Sequence, residues 1–239
     1  MRNVDFHLHG INLDNQLIVD SCSFSVRENR TSALIGPSGC GKTTMLNVIA
    51  GLIDVEHFTP PPDLKLAYIF QEARLIPWLS IEQNLALIEP NLSSSDIKQL
   101  LEDVKLHDVA SVYPVQLSGG MQRRVSIARA FVNKPNLVLL DEAFSSLDAP
   151  TARYLMNLVR GLLDKNQASA LLVTHNLQEA LALADDLYFL SSKPTKVIKH
   201  ITNPIPQSDR KQDHLEIDVI HEQEKALLSD YPEILSGIV

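Results

Sequence analysis

The sequence predicts an α/β protein with a largely parallel sheet at its centre. Three observations carry that expectation. A short apolar strand, Thr31-Ser32-Ala33-Leu34-Ile35, runs into a glycine-rich loop and then a helix from Thr44 to Ala50 that Gly51 can stop. Leu137-Val138-Leu139-Leu140 and Ala170-Leu171-Leu172-Val173 are continuous apolar runs, the mark of strands covered on both faces. Between the loop and those runs, the stretch from Asn84 to Val112 reads as helical, so helices are inserted into the strand order. A chain of 239 residues is long enough to bury all this in one domain.

The first thirty residues read as antiparallel strands, Val4–Leu8, Gln16–Val19 and Cys22–Val26, with a turn at Asp14-Asn15. Phe58-Thr59-Pro60-Pro61-Pro62-Asp63 must be a connection, because proline lacks the N–H that an interior element needs. Leu64–Phe70 alternates as a strand and delivers Gln71 at its tip. Ser93 caps a helix that places Ile97, Leu100, Leu101 and Val104 on one face. A further helix runs from about Met121 to Val132, stopped by Asn133-Lys134-Pro135. Asp148 and Pro150 open another helix. Leu187–Leu190 and Lys196–Ile201 read as late strands, and Val219–Leu228 as an outer helix.

The chemistry concentrates at three places. Gly36-Pro37-Ser38-Gly39-Cys40-Gly41-Lys42-Thr43-Thr44 fits the G-x-x-x-x-G-K-[ST] pattern in its strand-to-helix context. Such a loop turns backbone N–H groups and a helix N-terminus toward an anion, so Lys42 can reach the β- and γ-phosphates and Thr43 can ligate Mg²⁺. Asp141-Glu142 emerges at the C-terminal end of a buried strand, where open α/β sheets bind ligands. Asp141 suits the magnesium side, and Glu142 is placed to activate an attacking water. Ser118-Gly119-Gly120 precedes a helix and makes a second anion cradle, while Ser118 also suits a plain N-cap. Two cradles with one Lys42 imply a site shared between two chains in twofold symmetry.

Composition narrows the rest. A formal net charge of −8 argues against nucleic acid as a main partner. No apolar run approaches the roughly 20 residues that span a bilayer, and the N-terminus lacks a secretory core, so any membrane role is expected to be peripheral. Cys22 reads as a core residue and Cys40 as a compact loop residue; neither belongs to a disulfide framework. His7 and His9 have metal-like spacing but no third ligand nearby in sequence, and strand side chains on one face account for them.

Taken together, GPSGCGKTT, Gln71 after a strand, LSGGMQRR, LVLLDE, Ser145-Ser146-Leu147-Asp148 and His175 resemble, in order, the motifs of the ATP-binding cassette (ABC) ATPases. The resemblance covers nearly the whole chain. It implies an ABC-type P-loop NTPase: a RecA-like parallel core, a small antiparallel β-subdomain and an inserted α-helical subdomain. Residues 1–71 and 136–202 would form the nucleotide-binding core, 72–135 the helical subdomain and 203–239 a C-terminal extension. It further implies ATP and Mg²⁺ as ligands, with Gln71 touching Mg²⁺ or the attacking water, Glu142 as general base and His175 as the γ-phosphate switch. Ser118 and Gly120 would reach the γ-phosphate on a second copy, and Asp148 would communicate across the dimer interface.

Phe70–Trp78, Tyr113–Leu117 and Glu142-Ala143-Phe144 are similar to importers of nitrate, sulfonate, taurine or related molecules. That implies a permease and, through it, a substrate-binding protein as partners, at the cytoplasmic face of the membrane. Trp78 either sits at the permease groove or packs in the helical subdomain. A soluble cassette acting in translation or DNA repair is the rival, disfavoured by the single cassette and the acidic balance; a nucleotide switch that barely hydrolyses is disfavoured by the Asp141, Glu142 and His175 set. The chain departs from the family pattern in four places. Leu13 supplies an apolar contact where an adenine-stacking aromatic is usual. Asn29-Arg30 replaces a turn glycine, the segment between Gly51 and Tyr68 is short, and Met121 stands where Gln is common.

Overall fold

The computed structural model describes residues 3–210 and 217–232. β1 (Val4–Leu13) and β2 (Gln16–Val26) pair antiparallel across Asp14-Asn15, whose φ angles of 49° and 62° make the tight turn that matches strand twist. The strands expected at Gln16–Val19 and Cys22–Val26 are a single strand. Asp20-Ser21 interrupts the apolar pattern without ending the pairing, since Ser21 still faces His9.

β3 (Thr31–Ile35) is buried throughout, and Asn29 before it adopts φ 54°, so Asn fills a left-handed turn position where glycine is usual. α1 (Lys42–Ile49) starts two residues earlier than expected, and Gly51, at φ 69°, lies just beyond its end. Then come β4 (Leu66–Ile69), α2 (Ile81–Ala86), α3 (Ser94–Asp103), a 3-10 turn at Pro114–Gln116, and α4 (Gly119–Ala130). Ser80 and Ser93 cap α2 and α3 through reciprocal capping boxes. β5 (Leu137–Asp141), α5 (Ala149–Asn166), β6 (Ser169–Thr174), α6 (Leu177–Leu183), β7 (Asp186–Leu190), β8 (Thr195–Thr202), α7 (Gln207–Arg210) and α8 (Ile217–Asp230) complete the order. α6 has no counterpart in the sequence reading.

The sheet runs β1-β2-β8-β7-β3-β6-β5-β4. β7, β3, β6, β5 and β4 are mutually parallel, while β8 lies antiparallel to β7 and parallel to β2. β8 therefore ties the N-terminal antiparallel ribbon to the parallel core. Alternate residues of the central strands feed two cores on opposite faces. Ala33, Val138, Leu140, Ala170 and Leu172 pack with α2 to α6 and α8, whereas Leu34, Leu137, Leu139, Leu171 and Val173 pack with α1 and the ribbon. Full burial of each such Leu or Val contributes about 1.5–3 kcal/mol, which is why these runs are apolar throughout.

The C-terminal helix packs on the core. Ile220 and Leu227 of α8 are buried, and Gln178 Nε2 of α6 donates to Glu224 Oε2 at 2.9 Å. Residues 211–216 and 233–239 of the expected extension lie outside the described residues.

Candidate functional site

Parallel registers bring the ends of four strands to one edge of the sheet. Ile35 is level with Thr174, Asp141 with Val173, and Ile69 with Leu140. The glycine loop, the carboxylate pair, the histidine loop and the Gln71 loop all leave from this edge. Gly36 N donates to Thr174 O at 3.3 Å and Glu142 N to Val173 O at 3.0 Å, so the first residue of each loop is pinned to β6.

The glycine loop is specified by its backbone. Gly39 and Gly41 adopt φ of 77° and 114°, and a Cβ at Gly41 would meet Ile18 Cγ2 at 2.7 Å. Gly41 is the N-cap of α1 and gives it no side-chain cap, whereas Ser80, Ser93, Ser118, Asp148 and Asn176 cap α2 to α6. The first turn of α1 is left for an anion, with the helix dipole behind it. Lys42, only 4% exposed, donates from Nζ to Gly36 O at 2.7 Å and Pro37 O at 2.9 Å, and lies 3.9 Å from Glu142 Oε1. Cys40 is buried beside it, and burial raises the thiol's pKa; the core thiol of Cys22 is pushed up to about 12, chiefly by desolvation. Neither sulfur is a ready nucleophile.

The two carboxylates are held differently. Asp141 is 8% exposed, with Oδ1 accepting from Thr43 Oγ1 at 2.8 Å and Oδ2 from Tyr68 Oη at 3.0 Å. Burial, then the negative charge of Asp141, raises the Tyr68 pKa strongly, which keeps the phenol a donor. Glu142 stands at φ 45°, a left-handed conformation that costs a non-glycine residue about 1–2 kcal/mol. That turn brings Oε1 to 3.4 Å from His175 Nδ1 and Oε2 to 3.4 Å from Ser145 Oγ. The fold thus gathers Lys42, Thr43, Asp141, Glu142 and His175, each named from sequence, in one place.

The other named residues sit apart. Gln71 exposes its side chain, and its carbonyl is the group the fold holds, accepting from Arg123 Nη1. Arg123 Nη2 reaches Ala143 O, so one buried guanidinium on α4 joins the Gln71 loop to the residue after Glu142. Ser118 Oγ accepts from Met121 N at 3.3 Å as an N-cap, and Gly119 and Gly120 have open space around them. Asp148 is likewise a cap, with Oδ2 accepting from Thr151 N at 3.1 Å. Leu13 is half-buried against the ribbon core. His7 bonds Ser23 and His9 stacks on His57. Trp78 is 74% exposed, so packing in the helical layer does not account for it. Sequence reasoning missed Tyr68 and Arg123. The signal for Tyr68 was strand alternation, which sets it on the face of Phe70; the signal for Arg123 was a cation on the inner side of a helix.

Comparison with known proteins agrees with this geometry. Residues 19–145 match the family described as ABC transporter. An aliphatic sulfonates import ATP-binding protein of Bacillus cereus is 37% identical over 214 residues, covering 84% of this chain and 85% of that one. Its Bacillus subtilis (strain 168) namesake is 40% identical over 195 residues, 76% of each. Among solved structures, a dimeric ATP-binding cassette in a post-hydrolysis state with ADP and Pi superposes with a TM-score of 0.66 at 25% identity, covering 86% of this chain and 98% of that one. A metal-chelate type ABC transporter in an inward-facing conformation, at 21% identity, 84% of each chain and a TM-score of 0.71, shares the fold. With a family match over more than half its length and the motif residues drawn together at one sheet edge, the chain belongs to the ABC transporter family.

Proposed function

We propose that this chain is the ATP-hydrolysing subunit of an importer, two copies of which close head to tail around two Mg-ATP. The observation that carries the reading is the cluster of Lys42, Thr43, Asp141, Glu142 and His175 at one edge, while Ser118 heads a helix of its own within the same chain. The donor set fits Mg²⁺, since Thr43 and Asp141 offer hydroxyl and carboxylate oxygen beside a phosphate cradle. Bound Mg²⁺ supplies charge neutralisation of the β- and γ-phosphates.

The loop N–H groups and Lys42 bind and orient the triphosphate. Lys42 exchanges its contacts with Gly36 O, Pro37 O and Glu142 for phosphate oxygens, which frees Glu142 to accept a proton from water. His175, 43% exposed and facing Glu142, orients that carboxylate and reaches toward the γ-phosphate. Ser118 and the Gly119-Gly120 amides of a second copy close the site, with Asp148 at the seam. Gln71 links this site to a permease, and exposed Trp78 lies in the stretch that follows it, suited to a permease groove. Among the described residues no helix is long and apolar enough to cross a membrane. Bound to such a permease, the chain would act at the cytoplasmic face. The relatives' names favour aliphatic sulfonates as cargo, within the wider class of nitrate, taurine and similar small molecules.

Phosphate release from Mg-ATP tests the reading. The expected rate rises with more than the first power of protein concentration and is lost in Ser118→Arg, which blocks the shared site without touching Lys42. A rate strictly proportional to protein and indifferent to Ser118→Arg would overturn the shared site. Co-purification with a multispanning permease tests the import role.

A further inference from the structure

Asp141 is a buried carboxyl group whose side-chain hydrogen-bonding partners among the described residues are two hydroxyls, Thr43 on Oδ1 at 2.8 Å and Tyr68 on Oδ2 at 3.0 Å. The neighbouring cation, Lys42, leans on Glu142 instead, at 3.9 Å. A buried carboxyl group met by hydroxyl donors, with no cation paired to it among the described residues, is a setting that suits a divalent cation. How well the carboxylate serves a cation then depends on how firmly its plane is held.

Tyr68 is built to hold it. It lies level with Leu139 on the neighbouring strand β5, two residues short of Asp141, so its hydroxyl reaches along the strand to the carboxylate. Its ring stacks on Phe70 with centroids 4.0 Å apart and planes 15° apart, and the Arg74 guanidinium lies 4.0 Å over the Phe70 ring. Its hydroxyl is also 3.2 Å from Asn47 Oδ1 on α1. The ring is therefore held by its stack on Phe70 and the single phenol proton is given to Asp141 Oδ2, while Thr43 approaches the other oxygen from α1.

We infer that Tyr68 is a positioning residue for the divalent cation, holding Oδ2 of Asp141 so that Oδ1 and Thr43 face the metal together. This rests on the nucleotide reading above, and it adds a residue that acts through Asp141 rather than on the nucleotide. Because β4 leads directly into Gln71, the same short strand carries both the support of the metal carboxylate and the loop expected to face the permease.

Tyr68→Phe tests this, since it removes one hydroxyl and keeps the stacked ring. Full-length parent and variant are loaded with AMP-PNP, and Mn²⁺ is titrated with its free-ion EPR signal as the readout. Nucleotide binding in EDTA is followed separately with a fluorescent ATP analogue. The expected result is an Mn²⁺ affinity about tenfold weaker in the variant, with nucleotide binding in EDTA unchanged. Equal Mn²⁺ affinities, or a parallel loss of binding in EDTA, would overturn the role of Tyr68. Failure of the parent itself to bind nucleotide would overturn the nucleotide reading instead, which separates the two.

Discussion

Glu142 Oε1 lies 3.4 Å from His175 Nδ1, at the meeting point of loops from two adjacent parallel strands. In the mechanism proposed above, the histidine orients and the carboxylate accepts the proton. Glu142→Gln keeps the shape and removes the base. Phosphate release is expected to fall about 10²–10⁴-fold while ATP-dependent dimerisation persists. Malachite-green turnover and light scattering read the two separately, and unchanged turnover would remove Glu142 from the role.

The two left-handed loop glycines should behave unequally. Gly41→Ala combines φ 114° with a 2.7 Å approach to Ile18 Cγ2, whereas Gly39→Ala, at φ 77°, meets open space. The first is expected to cost about 2–4 kcal/mol and the second about 1 kcal/mol. Urea unfolding of both variants checks the order, and equal costs would contradict the packing at Gly41.

Arg123 offers a test of how α4 is fastened. Arg123 is 5% exposed, burial lowers its pKa, and its guanidinium serves the carbonyls of Gln71 and Ala143. Arg123→Ala leaves both carbonyls short of a donor and is expected to cost about 2–4 kcal/mol. Arg123→Lys reaches only one of them and should fall between. A loss of less than about half a kcal/mol in chemical denaturation would show the clamp to be slack.

Glu179 gives a pH dependence with a definite sign. Desolvation raises its pKa, outweighing the Thr174 hydrogen bond and the nearby His175, which lower it, while the nearby Glu142 adds to the rise. In the window between its ordinary value and its raised folded value, the folded chain binds the proton more than the unfolded chain does. Stability from this group therefore grows as the pH falls from neutrality into that window. Glu179→Gln keeps an acceptor for Thr174 without the charge, so the parent should gain on it between about pH 7 and 4.5, read by paired thermal melts. A pH-independent difference would refute the desolvation account.

The phosphate loop, the buried strands and the Asp141-Glu142 pair were legible because each is local: a motif of nine residues, a run of apolar side chains, a strand end. The meeting of Thr43, Tyr68 and Asp141 was not, since it depends on β4 and β5 adopting one register. α6 was missed because nearly all its side chains are buried, so the polar-apolar period that announces a surface helix is absent. Asp20-Ser21 misled in the opposite direction: the register against β8 shifts between Val19 and Ser21, which accommodates two consecutive polar residues while the pairing with β1 continues.

The strand that presents the phosphate loop has its own consequence for biosynthesis. β3 occupies residues 31–35, yet both its neighbours in the sheet, β6 and β7, come from residues 169–190. On the ribosome, an apolar strand and its glycine loop must wait for roughly 140 further residues before the first edge is paired and roughly 155 before the second, many seconds of synthesis. Until then the nascent chain carries an open, sticky edge beside an unformed loop. The part of the chain that comes first to the eye is among the last to be assembled, and a ribosome stalled before Ser169 would release a polypeptide with nowhere to seat ATP.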